Sequence, residues 1–189
     1  MLKSELRKLY RAKRQELTAQ QRLKLDDLLL IQFQKLALPP LQYILSFYPI
    51  EEKHELNTFI ITDYLQFTNP GLQVAYPKTD FSDNSMLAVV PEDEESFAPN
   101  AYNIPEPVGG EEVDPQWIDA VLVPMLTFDE KGHRVGYGKG FYDRFLANCS
   151  PQCITIGLCY FDPVATILDA GNYDVTLNYC ITPHQVYVF

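Results

Sequence analysis

Residues 132 to 140 form a glycine-rich segment in which cations are interleaved with glycines. Four of the nine glycines in the chain lie here with one arginine and one lysine: Gly132, Arg134, Gly136, Gly138, Lys139 and Gly140. Glycine lets a ligand approach the backbone closely and tolerates positive φ, and successive N–H groups in such a loop can bind an anion. Arginine offers a fork that matches phosphate oxygens, and lysine adds a mobile charge. The segment is therefore predicted to bind phosphate.

A helix is predicted to follow this loop, from about Gly140 to Cys149. Its positive N-terminal end would face the same anion, and Asp143 is placed to hold a divalent cation that bridges phosphates. The segment is not a Walker A loop, because His133 and Gly140 stand where that motif requires glycine and Ser or Thr. Nor is it the dinucleotide motif, since Phe141 occupies the third glycine position. A turn with exposed charges is the alternative reading.

Strands and helices are predicted to alternate around this loop. Helices are expected over residues 2–17, 19–38, 58–66, 140–149 and 164–168, with Thr18 as an N-cap and Gln21 as its capping-box partner. Strands are expected over residues 43–48, 72–76, 86–90, 119–124, 154–160 and 179–182, with Pro77 ending the second. Residues 97–116 are predicted to be irregular. This order indicates one α/β domain over residues 1–189 with a largely parallel sheet.

Composition excludes several classes of protein. The 189 residues carry a net charge of −10, which is unlike the basic footprint of a nucleic-acid-binding protein. No apolar run is long enough to span a bilayer, and the N-terminal segment lacks the apolar region of a signal peptide. The four cysteines do not have metal-ligand spacing and are expected to be free thiols in a reducing cytosol. We therefore expect a cytoplasmic protein.

The stretch from Val121 to Phe145 resembles the signature of the 5-formyltetrahydrofolate cyclo-ligase family. The matching residues are Pro124, Phe128, Asp129, Gly132, Arg134, Gly136, Tyr137, Gly138, Lys139, Gly140, Phe141, Tyr142 and Asp143. The resemblance extends to residues 3–7, 55–58, 104–107 and 173–174. Asn57 and Tyr173 depart from the family pattern, which has an acid and often a histidine there, so no role is assigned to either.

The resemblance implies a fold and an activity. The expected fold is a three-layer α/β sandwich with a largely parallel central sheet, similar to sugar-phosphate isomerases and CoA-transferases. The expected reaction closes 5-formyltetrahydrofolate to 5,10-methenyltetrahydrofolate through a phosphorylated formyl (iminium phosphate) intermediate. ATP is the co-substrate, Mg²⁺ the cofactor, and ADP and phosphate are released. We expect a monomer whose partners are these small molecules, with no nucleic acid or membrane.

The resemblance also implies roles for individual residues. ATP is expected to contact Lys3, Arg7, Arg134, Val135, Gly136, Tyr137, Gly138, Lys139, Gly140, Phe141 and Tyr142. Folate is expected to contact Tyr48, Glu55, Tyr137, Gly138, Lys139, Gly140 and Phe141. Lys139 and Arg134 are the expected catalytic residues, and Asp143 and Asp174 the expected metal ligands.

Two other functions are compatible with the same loop. One is a small-molecule kinase, which would need a hydroxyl acceptor and usually a catalytic base near it; no obvious base follows the loop. The other is a folate- or nucleotide-binding regulator without turnover, which the departures at Asn57 and Tyr173 leave open. ADP formation that depends on formylfolate would favour the cyclo-ligase over both.

Overall fold

Helices and strands alternate less regularly than predicted, because eight strands and no α-helix lie between the third and fourth α-helices of the described chain. The computed structural model describes residues 1–93, 96–171 and 173–189. The helices are α1 (Lys3–Gln15), α2 (Ala19–Phe33), α3 (Phe59–Thr68) and α4 (Phe141–Leu146). The strands are β1 (Tyr43–Leu45), β2 (Gln73–Asp80), β3 (Ser85–Val90), β4 (Phe97–Pro99), β5 (Pro105–Pro107), β6 (Glu111–Val113), β7 (Ala120–Val123), β8 (Thr127–Phe128), β9 (Arg134–Val135), β10 (Ile154–Leu158), β11 (Tyr179–Ile181) and β12 (Val186–Val188).

The described strands build one large mixed sheet with the order β12-β11-β10-β7-β1-β2-β3-β6. Its five central strands, β11, β10, β7, β1 and β2, run parallel. Strands β12, β3 and β6 pair antiparallel at the two edges. Two separate hairpins, β4-β5 and β8-β9, lie outside this sheet. The prediction of a largely parallel central sheet is confirmed.

The sheet is covered on both faces, which makes three layers. Successive side chains of a strand point to opposite faces, and Ile44 and Leu45 accordingly belong to different hydrophobic clusters. The cluster with Ile44 includes Leu29 of α2 and Ile61 of α3. The cluster with Leu45 includes Phe145 of α4. The predicted three-layer sandwich is therefore confirmed, with α2 and α3 on one face and α4 on the other.

The strand order reverses direction beside β1, and this reversal determines where a ligand can bind. From β1 the chain passes to β2 on one side and later to β7 on the other. In open parallel sheets a crevice forms at the carboxyl ends of two strands that part in this way. The segments that leave β1 and β7 begin at Ser46 and Pro124, so the crevice is expected between them.

Strand β2 continues through Pro77 to Asp80, so the prediction that Pro77 ends this strand is wrong. Pairing with β1 stops at Ala75, and beyond it the described strand that pairs with β2 is β3. Proline lacks an N–H and is tolerated where a strand has a neighbour on one side only. The extension carries Thr79 past the end of β1, where it reaches the functional cavity described below.

Other element predictions also differ: the strand predicted over 43–48 ends at Leu45, and the helix predicted over 140–149 ends at Leu146. Helix α2 ends at Phe33 instead of Leu38, and Leu36 and Leu38 pack on the core from the segment that follows. The segment 97–116, predicted to be irregular, contains three short strands. Residues 164–168 form no helix, because Val164 pairs with Asp129 in an isolated bridge. No helix within residues 1–93, 96–171 and 173–189 is long and apolar enough to cross a membrane.

Candidate functional site

A cavity of about 740 Å³ opens at the carboxyl ends of β1 and β7. Its wall includes Tyr48 after β1, Thr79 of β2 and Pro124 after β7. Helix α1 and the loop that precedes α4 close it from the other side through Arg7 and Gly138. A volume of this size is in the range of ligand-binding clefts. The crevice expected from the strand order is thus present and lies next to the predicted phosphate loop.

The cavity is rich in cations although the chain is acidic. Seven of its lining residues are Lys or Arg, namely Lys3, Arg7, Arg11, Arg14, Lys53, Arg134 and Lys139. Four are acidic, namely Glu55, Glu106, Asp143 and Asp174. The whole chain has a net charge of −10. A local positive excess of this kind raises the concentration of an anionic ligand at the site.

The glycine-rich loop presents unused N–H donors to this cavity. The backbone N–H groups from Gly136 to Gly140 donate to no acceptor in the described part of the chain. Gly138 and Gly140 have φ values of 92° and 73°, a region that favours glycine. Arg7 lies across the loop, and its Nε donates to the carbonyl oxygen of Gly136 at 2.9 Å. The loop can therefore surround an anion with backbone donors and guanidinium charge.

Asp143 is held at the start of α4 by one of its two carboxylate oxygens. Arg134 Nη2 donates to Asp143 Oδ1 at 2.8 Å, and the N–H of Val175 donates to the same atom at 3.1 Å. Arg134 Nη1 donates to the carbonyl oxygen of Val175 at 2.6 Å. Arg134 is therefore largely occupied by protein contacts, whereas Asp143 Oδ2 has no hydrogen-bond donor among the described residues. Helix α4 has only six residues, so backbone donors matter more here than a helix dipole.

Asp174 and Lys3 form an ion pair at the edge of the cavity. Lys3 Nζ lies 2.6 Å from Asp174 Oδ1 and 2.5 Å from Oδ2, and the N–H of Gly171 donates to Oδ2 at 2.6 Å. Burial opposes ionisation of this carboxyl, but the hydrogen bonds from Lys3 and Gly171 outweigh it and lower the pKa of Asp174. Asp174 is therefore ionised at neutral pH. Tyr173 beside it is 94% exposed and lies outside the cavity lining.

Glu55 is bonded to the phosphate loop through a tyrosine. The hydroxyl of Tyr137 donates to Glu55 Oε1, and the N–H of Ile50 donates to Glu55 Oε2 at 2.9 Å. Arg14 Nη2 donates to the Tyr137 hydroxyl oxygen at 2.6 Å. Burial and the negative charge of Glu55 both raise the pKa of Tyr137, so the phenol stays protonated. The predicted folate residue and the predicted ATP loop are thus joined in one network.

Aromatic side chains also line the cavity. Phe81 packs against Tyr102 and Phe141 with ring centroids 4.5 and 5.4 Å apart. Lys139 Nζ lies 5.6 Å from the centre of the Tyr102 ring and makes no hydrogen bond or ion pair within the described residues. Tyr48 lines the same cavity and packs edge-on against Phe59. A flat heterocycle fits such a surface because aromatic rings favour offset or edge contacts.

The Tyr142 hydroxyl is buried at this site and has no hydrogen-bond partner among the described residues. Burial raises the pKa of Tyr142, and the nearby Glu55 carboxylate raises it further. The group is therefore a protonated donor whose hydrogen bond is unmade, which costs free energy in a buried position. A ligand oxygen in the cavity would satisfy it.

The cavity brings together every predicted site residue except Val135. The side chain of Val135 is fully buried and belongs to a hydrophobic cluster with Leu6, Tyr10 and Leu126. Any contact with a ligand would therefore use its backbone. Predicting only single motif positions missed other lining residues, including Arg11, Arg14, Lys53, Phe81, Tyr102 and Glu106. The spacing of 4, 4 and 3 residues between Lys3, Arg7, Arg11 and Arg14 places them on one helix face and was a usable signal.

The carboxylates at the cavity can be tested as magnesium ligands. No group of three or more His, Cys, Asp or Glu side chains that could hold a metal is found in residues 1–93, 96–171 and 173–189. Magnesium, however, is usually bound by one or two carboxylates together with water and substrate phosphates. Asp143 fits this chemistry because its Oδ2 is unbonded in the described structure. Asp174 fits only if Lys3 moves from it to another anion.

An α/β sandwich with a cavity rich in Lys and Arg at the switch point of its parallel strands defines the class of protein. Within that class, residues 1–183 match the model of the 5-formyltetrahydrofolate cyclo-ligase family. The chain therefore belongs to that family.

Curated relatives and solved structures agree with this assignment. A 5-formyltetrahydrofolate cyclo-ligase of Mycoplasma genitalium is 37% identical over 70 residues, which is 36% of this chain and 42% of the relative. That of Escherichia coli K12 is 32% identical over 71 residues, or 37% and 39% of the two chains. The matches thus cover less than half of these relatives. The structure of Aquifex aeolicus 5,10-methenyltetrahydrofolate synthetase covers all of this chain and 93% of its own, with 27% identity and a TM-score of 0.79. That from Mycoplasma pneumoniae covers 96% and 98%, with 26% identity and a TM-score of 0.74.

Proposed function

We propose that this protein uses ATP to convert 5-formyltetrahydrofolate to 5,10-methenyltetrahydrofolate, with release of ADP and phosphate. The observation that carries this proposal is a single cavity whose lining combines two chemically different kinds of group. Five consecutive unbonded N–H groups, from Gly136 to Gly140, and a cluster of cations suit a polyphosphate. Rings such as Phe81 and Phe141 suit a flat heterocycle. The name shared by the relatives supports the choice of substrate.

The proposed reaction needs ATP because the formyl oxygen is a poor leaving group. This oxygen attacks the γ-phosphorus of ATP, the bond to ADP breaks, and a phosphorylated formyl group with iminium character results. Nitrogen 10 of the folate then attacks the same carbon and loses its proton. The C–O bond breaks, phosphate leaves, and the five-membered ring is closed. Such chemistry depends on positioning and charge neutralisation more than on an acid or a base.

The residues of the cavity can supply both requirements. Lys139 is exposed and unpaired within the described structure, so its ammonium is free to follow the transferred phosphoryl group. Arg134 is held rigidly by Asp143 and the Val175 carbonyl, and it contributes a fixed positive charge. Charge that is positioned before the reaction stabilises the transition state without further reorganisation. The N–H groups of the loop and the Arg7 guanidinium hold the remaining phosphate oxygens.

Binding of the triphosphate also gives the Lys3–Asp174 ion pair an alternative partner. Lys3 Nζ lies on the cavity wall together with Asp174. An ammonium attracted to a phosphate would release the Asp174 carboxylate, so that Asp143 and Asp174 could both hold Mg²⁺. The ion, when bound, would neutralise charge on the phosphates. A magnesium requirement in which the metal and the nucleotide bind together would follow from this exchange of partners.

Recognition of the folate is assigned to the Glu55 end of the cavity. Glu55 is buried and its carboxylate is oriented by Tyr137 and the Ile50 N–H. A carboxylate accepts hydrogen bonds from the amino-pyrimidine edge of a pterin. Tyr48, Tyr137 and Phe141 would pack against the ring system. Monomeric action in the cytoplasm is part of the same proposal.

The test is direct, because the conjugated methenyl product absorbs in the near ultraviolet. Purified protein would be mixed with 5-formyltetrahydrofolate and MgATP, and parallel samples would lack ATP, lack Mg²⁺ or lack the folate. We expect absorbance to rise only in the complete mixture, with one ADP formed per product. Binding of both ligands without product would favour a regulator instead. ADP release without folate, or a phosphorylated product that persists, would favour a different phosphoryl-transfer enzyme.

A further inference from the structure

Arg14 is a buried cation in the cavity wall that has no assigned role in the proposed reaction. It lies in the last turn of α1, and its side chain is only 7% exposed. Its Nη2 donates to the Tyr137 hydroxyl at 2.6 Å and lies 3.8 Å from Glu55 Oε1. Its Nη1 reaches the Met125 carbonyl oxygen at a longer 3.4 Å. The three groups Arg14, Tyr137 and Glu55 therefore form one buried cluster, called here the Arg14 network.

The Arg14 network would cost the fold free energy if its role were only structural. Glu55 is also nearly buried, with 4% of its side chain exposed. Arg14 Nε is buried without a hydrogen-bond acceptor in the described part of the chain. Burying charges costs free energy that a salt bridge often does not fully return, and well-packed apolar residues can be as stable or more so. A cation with an unsatisfied donor at this place therefore points to a role in the cavity.

The position of Tyr137 indicates what that role is. Its backbone lies between Gly136 and Gly138 of the phosphate loop, while its hydroxyl contacts Glu55. A phenol can rotate between acceptors, and Glu55 is the carboxylate assigned to folate recognition. With Arg14 donating to the hydroxyl oxygen, the only proton on that oxygen is directed at Glu55. Arg14 thus determines the orientation of both groups without contacting the reacting atoms.

We propose that Arg14 is a positioning residue that holds the Tyr137 hydroxyl against Glu55 and so keeps Glu55 oriented for the folate. This inference rests on the proposed function, because it assumes that Glu55 contacts the folate. Removal of Arg14 leaves a buried carboxylate without its cation and a phenol without its donor. The folate side of the cavity is disturbed, while Lys139 and Arg134 keep their places.

The experiment compares Arg14→Met, Arg14→Lys, Tyr137→Phe and the double variant of Arg14→Met with Tyr137→Phe. The matched control is Arg22→Met, which removes a similarly buried arginine, 13% exposed, that pairs with Glu51 outside the cavity lining. The Michaelis constants for 5-formyltetrahydrofolate and ATP and the value of kcat are measured by methenyl absorbance. Thermal unfolding of each variant, and folate binding by fluorescence quenching, are recorded in parallel.

We expect Arg14→Met to raise the KM for 5-formyltetrahydrofolate about tenfold or more, since hydrogen bonds that involve charged groups are strong. The value of kcat and the KM for ATP should change by less than about threefold. The lost interaction holds the folate equally in the ground state and in the transition state, so its loss raises KM without changing kcat. Lysine at position 14 can still donate to the hydroxyl and should restore most of the affinity. In the Tyr137→Phe background the Arg14→Met change should have less than half its effect on log KM, because its acceptor is gone.

Two results would overturn the inference while leaving the proposed function intact. One is an active Arg14→Met enzyme whose KM for the folate equals that of Arg22→Met. The other is a loss of kcat with unchanged KM and a lower unfolding temperature, which a merely structural arginine would produce. If the unmodified protein binds 5-formyltetrahydrofolate but does not turn it over, the same comparison is made on the dissociation constant. If it does not bind the folate at all, the proposed function and this inference both fail.

Discussion

Replacement of Lys139 by methionine separates catalysis from folding more cleanly than any other change at the site. Lys139 is exposed, and its charged group makes no hydrogen bond or ion pair in the described structure. Among the described residues, this ammonium approaches only the Tyr102 ring, with Nζ 5.6 Å from the ring centre. Methionine keeps a long apolar side chain and removes only the charge. The fold should therefore lose little when the ammonium is absent.

The two expected effects differ by a wide margin. An exposed cation–π contact is worth about 0.5–1 kcal/mol, so the free energy of unfolding should fall by less than about 1 kcal/mol. Removal of one group that stabilises transition-state charge typically lowers kcat by about 10²–10³, or about 2.7–4 kcal/mol. If Lys139 follows the phosphoryl group, the loss of rate should exceed the loss of stability by about 2 kcal/mol or more.

The assay is methenyl formation at saturating 5-formyltetrahydrofolate and MgATP, with thermal unfolding recorded on the same preparations. The matched control is Lys131→Met, which removes an equally exposed lysine from the turn just before the loop, outside the cavity lining. We expect the control to retain the full rate. A value of kcat for Lys139→Met within about threefold of the control would refute the role of Lys139. A fall in the unfolding temperature of Lys139→Met that is large enough to explain the lost activity would also refute that role.

Three further predictions concern single residues. Asp143→Asn keeps the acceptor for Arg134 but removes the charge from the unbonded oxygen, so half-maximal activity should need about tenfold more Mg²⁺, measured by metal titration. Gly138→Ala should destabilise the fold by about 1–2 kcal/mol, because φ is 92° and the new Cβ would lie 3.1 Å from Arg7; the KM for ATP should rise with it. Burial raises the pKa of Asp26 above its ordinary value of 3.8 despite the hydrogen bond from Tyr160, so the ionised form is disfavoured in the fold at pH 7. Asp26→Asn should therefore raise Tm by about 2–4 °C at pH 7, and the gain should disappear below pH 3.8, where both states are protonated; an equal gain at pH 3 and pH 7 would contradict this reasoning.

Local sequence patterns predicted those parts of the fold that local physics controls. Thr18 caps α2 and Gln21 completes the capping box, as the spacing of the two residues indicated. The alternation of strands and helices was sufficient for an α/β sandwich with a mainly parallel sheet. The predictions failed where strand pairing overrides the local preference of the sequence. Pro77 continues a strand because its neighbour on one side has already ended, and Val164 joins a bridge to Asp129 instead of a helix.

The candidate site was predictable where its functional groups belong to consecutive residues. The loop from Gly136 to Gly140 was identified from glycines and charge alone, and the structure places it on the cavity wall. Arg14 was not among the predicted site residues. Its spacing from Lys3, Arg7 and Arg11 indicates a shared helix face, but the sequence gives no sign of how deeply its side chain is buried. Val135, included as part of a continuous motif, proved to be a core residue whose side chain faces away from the cavity.

By itself the sequence determined which groups are available: a flexible loop of N–H donors, a helix with cations on one face, and carboxylates such as Asp143. These are properties of residue type and short-range spacing, which the backbone periodicities translate into local structure. Only the tertiary structure decided which of these groups are still free to bind a ligand. Lys3 is paired with Asp174, and Glu55 is bonded to Tyr137, whereas the Lys139 ammonium has no bonded partner among the described residues. Partners 82 and 171 positions apart meet only when the sheet order brings their elements together, and no local pattern in the chain encodes that distance.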